Sequence, residues 1–394
     1  MQEYDVIIAG GGPAGSTAAT LLSQFGHKVL ILEWDQHPRP HIGESMMPQI
    51  DPIMKRIGLD WGEGNLQKSG ADFIHESSNK SLFFPLLGAN KTFQIERSKF
   101  DEKMFNYALS QGAEGYQNTK VTALEIDRDG VHVSTDSGDY NGRYFIDATG
   151  RSALMGRKLN SVKKLENLGQ FALYQYFQLE DNQEVKELFG TGNVKIILVD
   201  IGWLWVIPLV GKRLSIGLVV QDKTKANLSK DELFNHYLNE SPIISRLLHN
   251  SKMLKPIQAE ADFSYVNNRR YGLRYACCGD AAGFLDPVFS SGFFFAVKTA
   301  ELIADRLHEG LVNGDEANPE LHAVDDSIYK DGFNTMYLLI ERFYRSNLVE
   351  NLIFEFDRHE GIKEEITALL AGDLWRENNF FQQGLLNGRR SAVL

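Results

Sequence analysis

Three glycines in the pattern Gly10-x-Gly12-x-x-Gly15, with Pro13 and Ala14 between the last two, are the first residues whose type and spacing imply chemistry. They follow the apolar run Val6-Ile7-Ile8 and open a stretch with helical spacing at Ala14, Ala18, Leu21 and Leu22. Glycines at such a junction let backbone approach a pyrophosphate closely, and the helix N-terminus favours its charge. Glu33 ends the next apolar run and can accept hydrogen bonds from ribose hydroxyls, which disfavours a 2′-phosphate. Two further segments follow at a distance: Asp147-Ala148-Thr149-Gly150 and Gly279-Asp280-Ala281-Ala282-Gly283. A buried carboxylate at a strand end can hold a polyol hydroxyl, and the small residues after it let a helix come close. Together these segments separate FAD from NAD as the expected dinucleotide.

The elements that must position these residues are legible in outline. Tyr4–Ala9, His27–Glu33, Tyr144–Asp147 and the run ending at Cys278 read as strands, the continuous apolar ones as parallel strands covered on both faces. Phe100–Gln111 reads as a helix and Lys120–Thr135 as a hairpin around Asp129-Gly130. Residues 72–97 alternate as strands do. Phe171–Leu179, Val194–Val199, Trp203–Pro208 and Leu214–Val220 follow as further strands, then Asp231–Leu248 as one helix. Beyond about residue 325 the pattern is entirely helical. The expected fold is mixed α/β: a Rossmann-like FAD-binding domain from 1–70, 98–165 and 267–310, an inserted β-rich substrate domain from 71–97 and 166–266, and a helical C-terminal region over 311–394.

Composition narrows the partners. The 394 residues carry a formal net charge of −11, so no basic surplus exists to neutralise nucleic-acid phosphates. The most apolar long window, 194–211, contains Lys195, Asp200 and Pro208, which argues against stable membrane insertion. The N-terminus lacks the basic start of a secretory signal. The adjacent Cys277 and Cys278 cannot form a disulfide framework and read as small core residues. A cytoplasmic protein is expected. The histidines, His37 and His41 included, form no metal constellation.

The ordered motifs, over roughly residues 4 to 310, resemble the FAD monooxygenase superfamily that includes p-hydroxybenzoate hydroxylase, geranylgeranyl reductases and flavin-dependent halogenases. The resemblance implies that Asp280, with Gly279, contacts the ribityl and pyrophosphate of FAD, and that Arg97 in Ile95-Glu96-Arg97-Ser98 lies near the cofactor. Trp203-Leu204-Trp205-Val206-Ile207-Pro208 matches the WxWxIP signature of the halogenases; geranylgeranyl reductases carry a related version, and simple core packing explains two tryptophans on one strand face equally well. Lys68, in Leu66-Gln67-Lys68-Ser69-Gly70-Ala71, follows Gly43-Glu44-Ser45, and both stretches look like the phenol- and pyrrole-type halogenases. That likeness implies a catalytic role for Lys68 and places Ser45 among the residues near the cofactor. An ammonium can hydrogen-bond and polarise hypohalous acid, or its amine can react to a haloamine.

The turn Asp286-Pro287-Val288-Phe289-Ser290-Ser291-Gly292 begins a helix whose exposed amides suit an anion. By resemblance the Ser291 and Gly292 amides hold chloride or bromide, with Gly292 also beside the flavin. Tryptophan halogenases have a glutamate where Phe289 stands, which points away from free tryptophan and toward a phenol or pyrrole ring. The activity so implied is halogenation. Reduced FAD from a separate flavin reductase, oxygen and halide would give hypohalous acid, relayed by Lys68 to a small electron-rich aromatic substrate, free or tethered to a carrier protein. A monooxygenase or geranylgeranyl reductase-type oxidoreductase on the same scaffold is the alternative, and a flavin-binding protein without turnover a third. Phe343, Tyr344, Phe354 and Phe356 are expected to complete the core or cap a substrate pocket.

Overall fold

The computed structural model describes residues 3–86, 90–165, 168–169, 171–221, 228–261, 263–345, 360–376 and 378–388. Val6, Ile7 and Ile8 have no accessible surface, because their strand, Glu3–Ala9, lies in the middle of an eight-stranded sheet. It pairs in parallel with Asp139–Asp147 on one side and Val29–Leu32 on the other. Tyr275–Cys277 extends the sheet beyond Asp139–Asp147, and Glu114–Tyr116 extends it beyond Val29–Leu32. Four of these parallel strands therefore come from sequence segments far apart, and their C-terminal ends gather the glycine turn, Glu33, Asp147 and Cys278 at one edge. Helix Pro13–Gln24 packs between the helices Arg97–Ser110 and Ser291–Asn313. The fold is mixed α/β with a Rossmann-type sheet, and helices follow it toward the C-terminus.

A second eight-stranded sheet carries the strands Phe171–Gln178, Arg213–Val220, Gly202–Leu209, Val194–Val199, Gly70–His75 and Lys80–Pro85 in that spatial order. All pair antiparallel except Val194–Val199 with Gly70–His75. Both faces of its central strands are buried. Trp203, Trp205 and Ile207 join the main core, while the alternate residues Leu204 and Val206 join a second cluster with Leu173, Ile216 and Leu218. Period two along one strand thus feeds two hydrophobic layers.

Two local expectations need correction. Asp231–Leu248 is not one helix: Lys230–Glu240 ends at Ser241, and Pro242–Leu247 starts afresh with Ser241 as its cap. Pro242 lacks the N–H that a continuous helix would need there. A helix over Gln183–Thr191, unread in the sequence, is capped by the Asn182 side chain and stopped by Gly192 at φ +64. Both cysteine thiols are buried and free, with burial pushing them well above their ordinary range. Among the described residues no helix is long and apolar enough to cross a membrane.

Candidate active site

The glycine turn is tight for a reason that can be measured. A Cβ on Gly10 would fall 2.2 Å from the Ala148 carbonyl oxygen, and one on Gly15 would fall 1.9 Å from that of Gly10. Gly12 differs. Its nearest neighbour would be the Arg39 guanidinium at 3.3 Å, the end of a movable side chain rather than backbone. Gly12 is also the N-cap, with no side chain to satisfy the first amides, and Pro13 takes the first helical position. Glu33 braces this turn: its carboxylate accepts from the Gly11 amide at 2.7 Å and the Asp35 amide at 3.0 Å. Each oxygen retains a lone pair for a ribose hydroxyl.

Gly279 brings the second motif onto the first. At φ +60 its Cβ would sit 3.0 Å from that of Ala14, and its amide donates to Thr299 Oγ1. Half-buried Asp280 follows; burial raises its carboxyl to about 6 against the opposing pull of Arg97 and Arg151. An uncapped helix start at Gly12, bordered by the movable Arg39 side chain rather than by backbone, and the half-buried Asp280 carboxylate make a set of groups that fits FAD. Asp147, by contrast, is spent on the protein itself. It accepts from the amide and hydroxyl of Thr149 and from the Met155 amide.

Arg97 holds the two halves of the site in register. Its Nε and Nη2 donate to the two oxygens of Asp101, both at 2.8 Å, and Nη1 donates to the carbonyls of Ile42 and Gly43. The guanidinium lies over the ring of Phe293, 5.1 Å from its centroid. One buried side chain therefore touches the 42–45 loop and the first turn of helix Ser291–Asn313.

That loop delivers Ser45 to Lys68. Lys68 is only 7% exposed, and its Nζ donates to Ser45 Oγ at 2.8 Å. Its backbone amide donates to Thr92. Gly192 packs so closely behind it that a Cβ there would fall 2.1 Å from the Gln67 carbonyl oxygen. Burial alone drives the amine down to about 7, so near neutrality it exists as both donor ammonium and nucleophilic amine. Beside it, Glu44 accepts from the Tyr176 hydroxyl at 2.5 Å, and burial pushes its carboxyl upward despite that bond. Neither Tyr176 nor Gly192 was singled out in the sequence. The Asn182-to-Gly192 helix frame was the one signal that could have found the latter.

The turn at Asp286 leads into a helix start that no side chain caps. Ser290 sits at φ +58, no side chain caps the helix, and a Cβ on Gly292 would fall 2.9 Å from the Phe284 ring. Asp286 shapes the turn by accepting from the amides of Val288 and Gly169 and from the Tyr344 hydroxyl, which in turn accepts from the Trp203 indole at 2.8 Å. Phe289 packs against Phe73 and Phe343, with ring centroids 6.2 and 5.7 Å apart, and Phe84 meets Phe73 edge-on. An apolar wall thus runs from the strand that follows Lys68 to the Ser291 turn. Phe354 and Phe356 lie outside the described residues.

A Rossmann-type sheet, a fitted FAD cradle and this set of buried groups define an FAD-dependent oxidoreductase. Comparison with known proteins narrows the class. The sequence profile of the family described as "Tryptophan halogenase" matches residues 5–73 and 65–382. The chain is 28% identical over 95% of its length to a 1H-pyrrole-2-carbonyl-[peptidyl-carrier protein] chlorinase of Pseudomonas fluorescens, of which it covers 90%. It is 30% identical over 85% of its length to the flavin-dependent halogenase rdc2 of Metacordyceps chlamydosporia, covering 70% of that protein. Its fold superposes on the flavin-dependent brominase Bmp2 with a TM-score of 0.86, at 26% identity, covering 97% of this chain and 98% of the other. The chain belongs to the tryptophan halogenase family, and it is an FAD-dependent halogenase.

Proposed function

We propose that the protein transfers electrophilic chlorine or bromine to an electron-rich aromatic ring of the pyrrole or phenol kind, with Lys68 as the group that presents the halogen. The carrying observation is the Lys68 amine itself: withdrawn from bulk water and fixed by Ser45, with burial pulling it down to about 7. When bound, reduced FAD supplies the oxygen activation that converts halide to hypohalous acid.

The chain's own residues do the rest. The Ser291 and Gly292 amides hold the halide at the helix start, with Gly12, Pro13, Ala14, Gly15, Glu33, Arg97, Gly279 and Asp280 positioning the cofactor. Phe73, Phe289 and Phe343 form a dry surface that protects the oxidised halogen from water. Lys68 then polarises it as an ammonium, or carries it as a haloamine, toward the substrate ring. Phe289 supplies no carboxylate, so the ring must already be activated. Similarity to a carrier-protein pyrrole chlorinase favours a substrate held on a carrier, and reduced flavin would come from a separate reductase.

The test is product mass. The protein is supplied with reduced FAD, oxygen, and chloride or bromide, and offered pyrrole and phenol rings, free and carrier-bound. A halogen isotope pattern in one product supports the proposal. A gain of oxygen or hydrogen that ignores the added halide overturns it.

A further inference from the structure

The chain is strongly acidic overall, yet residues 151–164 contain five cations and no carboxylate: Arg151, Arg157, Lys158, Lys163 and Lys164. All five are exposed, and Arg269 is exposed on the loop that follows the strand paired with 162–164. Arg151, Arg157 and Lys164 line an open cleft of about 760 Å³ together with Val162 and Tyr265, and Lys158 and Lys163 are their sequence neighbours. A carboxylate faces it: Glu260, which pairs with Arg151.

The cleft shares a wall with the cofactor cradle. Tyr265 lines it and donates to the Asp280 carbonyl at 2.7 Å. Arg151, also in the lining, is close enough to favour the charged form of the Asp280 carboxyl. We infer that this basic rim captures FAD in transit, attracting its doubly charged pyrophosphate and guiding it to the Gly12 cradle. The inference rests on the FAD assignment and not on halogenation.

The physical need is specific. An enzyme of net charge −11 repels a dianion at long range, and a cofactor that arrives by diffusion must overcome that repulsion at each encounter. A cluster of one sign beside a low-dielectric cleft focuses the field locally and raises association rates, an effect that fades once salt shortens the Debye length to about 8 Å. The alternative occupant of such a patch is an acidic protein partner, which would leave flavin binding untouched.

The experiment follows binding of oxidised FAD to the flavin-stripped full chain by stopped-flow fluorescence quenching, across a range of ionic strength. The wild type is compared with Arg157→Glu/Lys158→Glu/Lys163→Glu. We expect the variant's association rate to fall about tenfold or more at low salt, with a weakened or inverted salt dependence and an unchanged dissociation rate. Riboflavin, which lacks the pyrophosphate, should bind both proteins equally fast. Equal FAD association rates would overturn the inference and assign the patch to another partner. An equal loss for riboflavin would also overturn it, because the defect would then be structural; unchanged thermal unfolding of the variant guards against simple misfolding.

Discussion

The Lys68 amine lies 2.8 Å from the Ser45 hydroxyl, a bond between two residues 23 positions apart that are each placed by backbone contacts. Ser45 bridges to Gln94, Lys68 is held by Thr92, and Gly192 closes the back of the lysine segment. The amine is thus oriented by the fold rather than left to sample rotamers in water. Ser45 also stands one residue after Glu44 and two after the Gly43 carbonyl that Arg97 grips. Cofactor loop and lysine are parts of one hydrogen-bonded unit.

Replacing Ser45 by alanine should therefore act on turnover more than on flavin. Loss of one buried hydrogen bond costs about 1 kcal/mol, so we expect the halogenation rate to fall about five- to tenfold. FAD affinity, measured by equilibrium fluorescence quenching, should change less than the rate does. A large loss of FAD with normal turnover of the loaded enzyme would return Ser45 to the cofactor alone.

Lys68 also predicts a pH dependence of stability. Its amine sits at about 7 in the fold against an ordinary value of 10.5. Between these values the unfolded chain binds the extra proton. Stability therefore rises with pH across that window, and the burial penalty is full below pH 7. Lys68→Met should be more stable than wild type near pH 7, with the gap shrinking by roughly 1 kcal/mol per pH unit toward pH 9. Urea unfolding at several pH values checks this; parallel curves for the two proteins would contradict a neutralised buried amine.

Arg97 and Asp101 form a fully buried two-point pair. Truncating Arg97 to alanine leaves Asp101 charged and alone, at a cost of about 3–5 kcal/mol. Arg97→Met/Asp101→Leu should regain most of that stability by thermal unfolding. FAD affinity should stay low in both proteins, because the carbonyls of Ile42 and Gly43 lose their donor. Full recovery of FAD binding in the double variant would show the arginine to be purely structural.

Much of this was legible in residue types. The glycine turn, Glu33 and Gly279-Asp280 are short motifs whose backbone demands are local, so their spacing declared them at once. The strands of both sheets were readable because continuous apolar runs and period-two alternation survive in the sequence. The helix Gln183–Thr191 was missed because its apolar face is short, with Val185 and Leu188 buried and Phe189 half-buried beside them. Tyr176 was missed because its partner Glu44 is distant in sequence, and nothing in a lone tyrosine on a strand announces a buried carboxylate. For the same reason Trp203 was read as core packing or a signature, whereas its indole N–H begins a chain through Tyr344 to Asp286.

That chain gives a further expectation. Tyr344→Phe removes an acceptor from Trp203 and a donor from Asp286, whose carboxyl burial already holds at about 6. We expect a stability loss of about 1–3 kcal/mol from the buried groups left unpaired. The apparent KM for halide should rise while FAD affinity is kept, since Asp286 shapes the turn that leads to Ser291. An unchanged halide KM would confine the network to packing.

The most direct test of the account separates making the oxidised halogen from using it. Lys68→Ala is supplied with reduced FAD, oxygen and bromide, and hypohalous acid is trapped by a diffusible scavenger while the aromatic product is measured by mass. The account predicts retained FAD and a scavenger signal like that of the wild type, with substrate halogenation down about 100-fold or more. Undiminished, regioselective halogenation by that variant would contradict it.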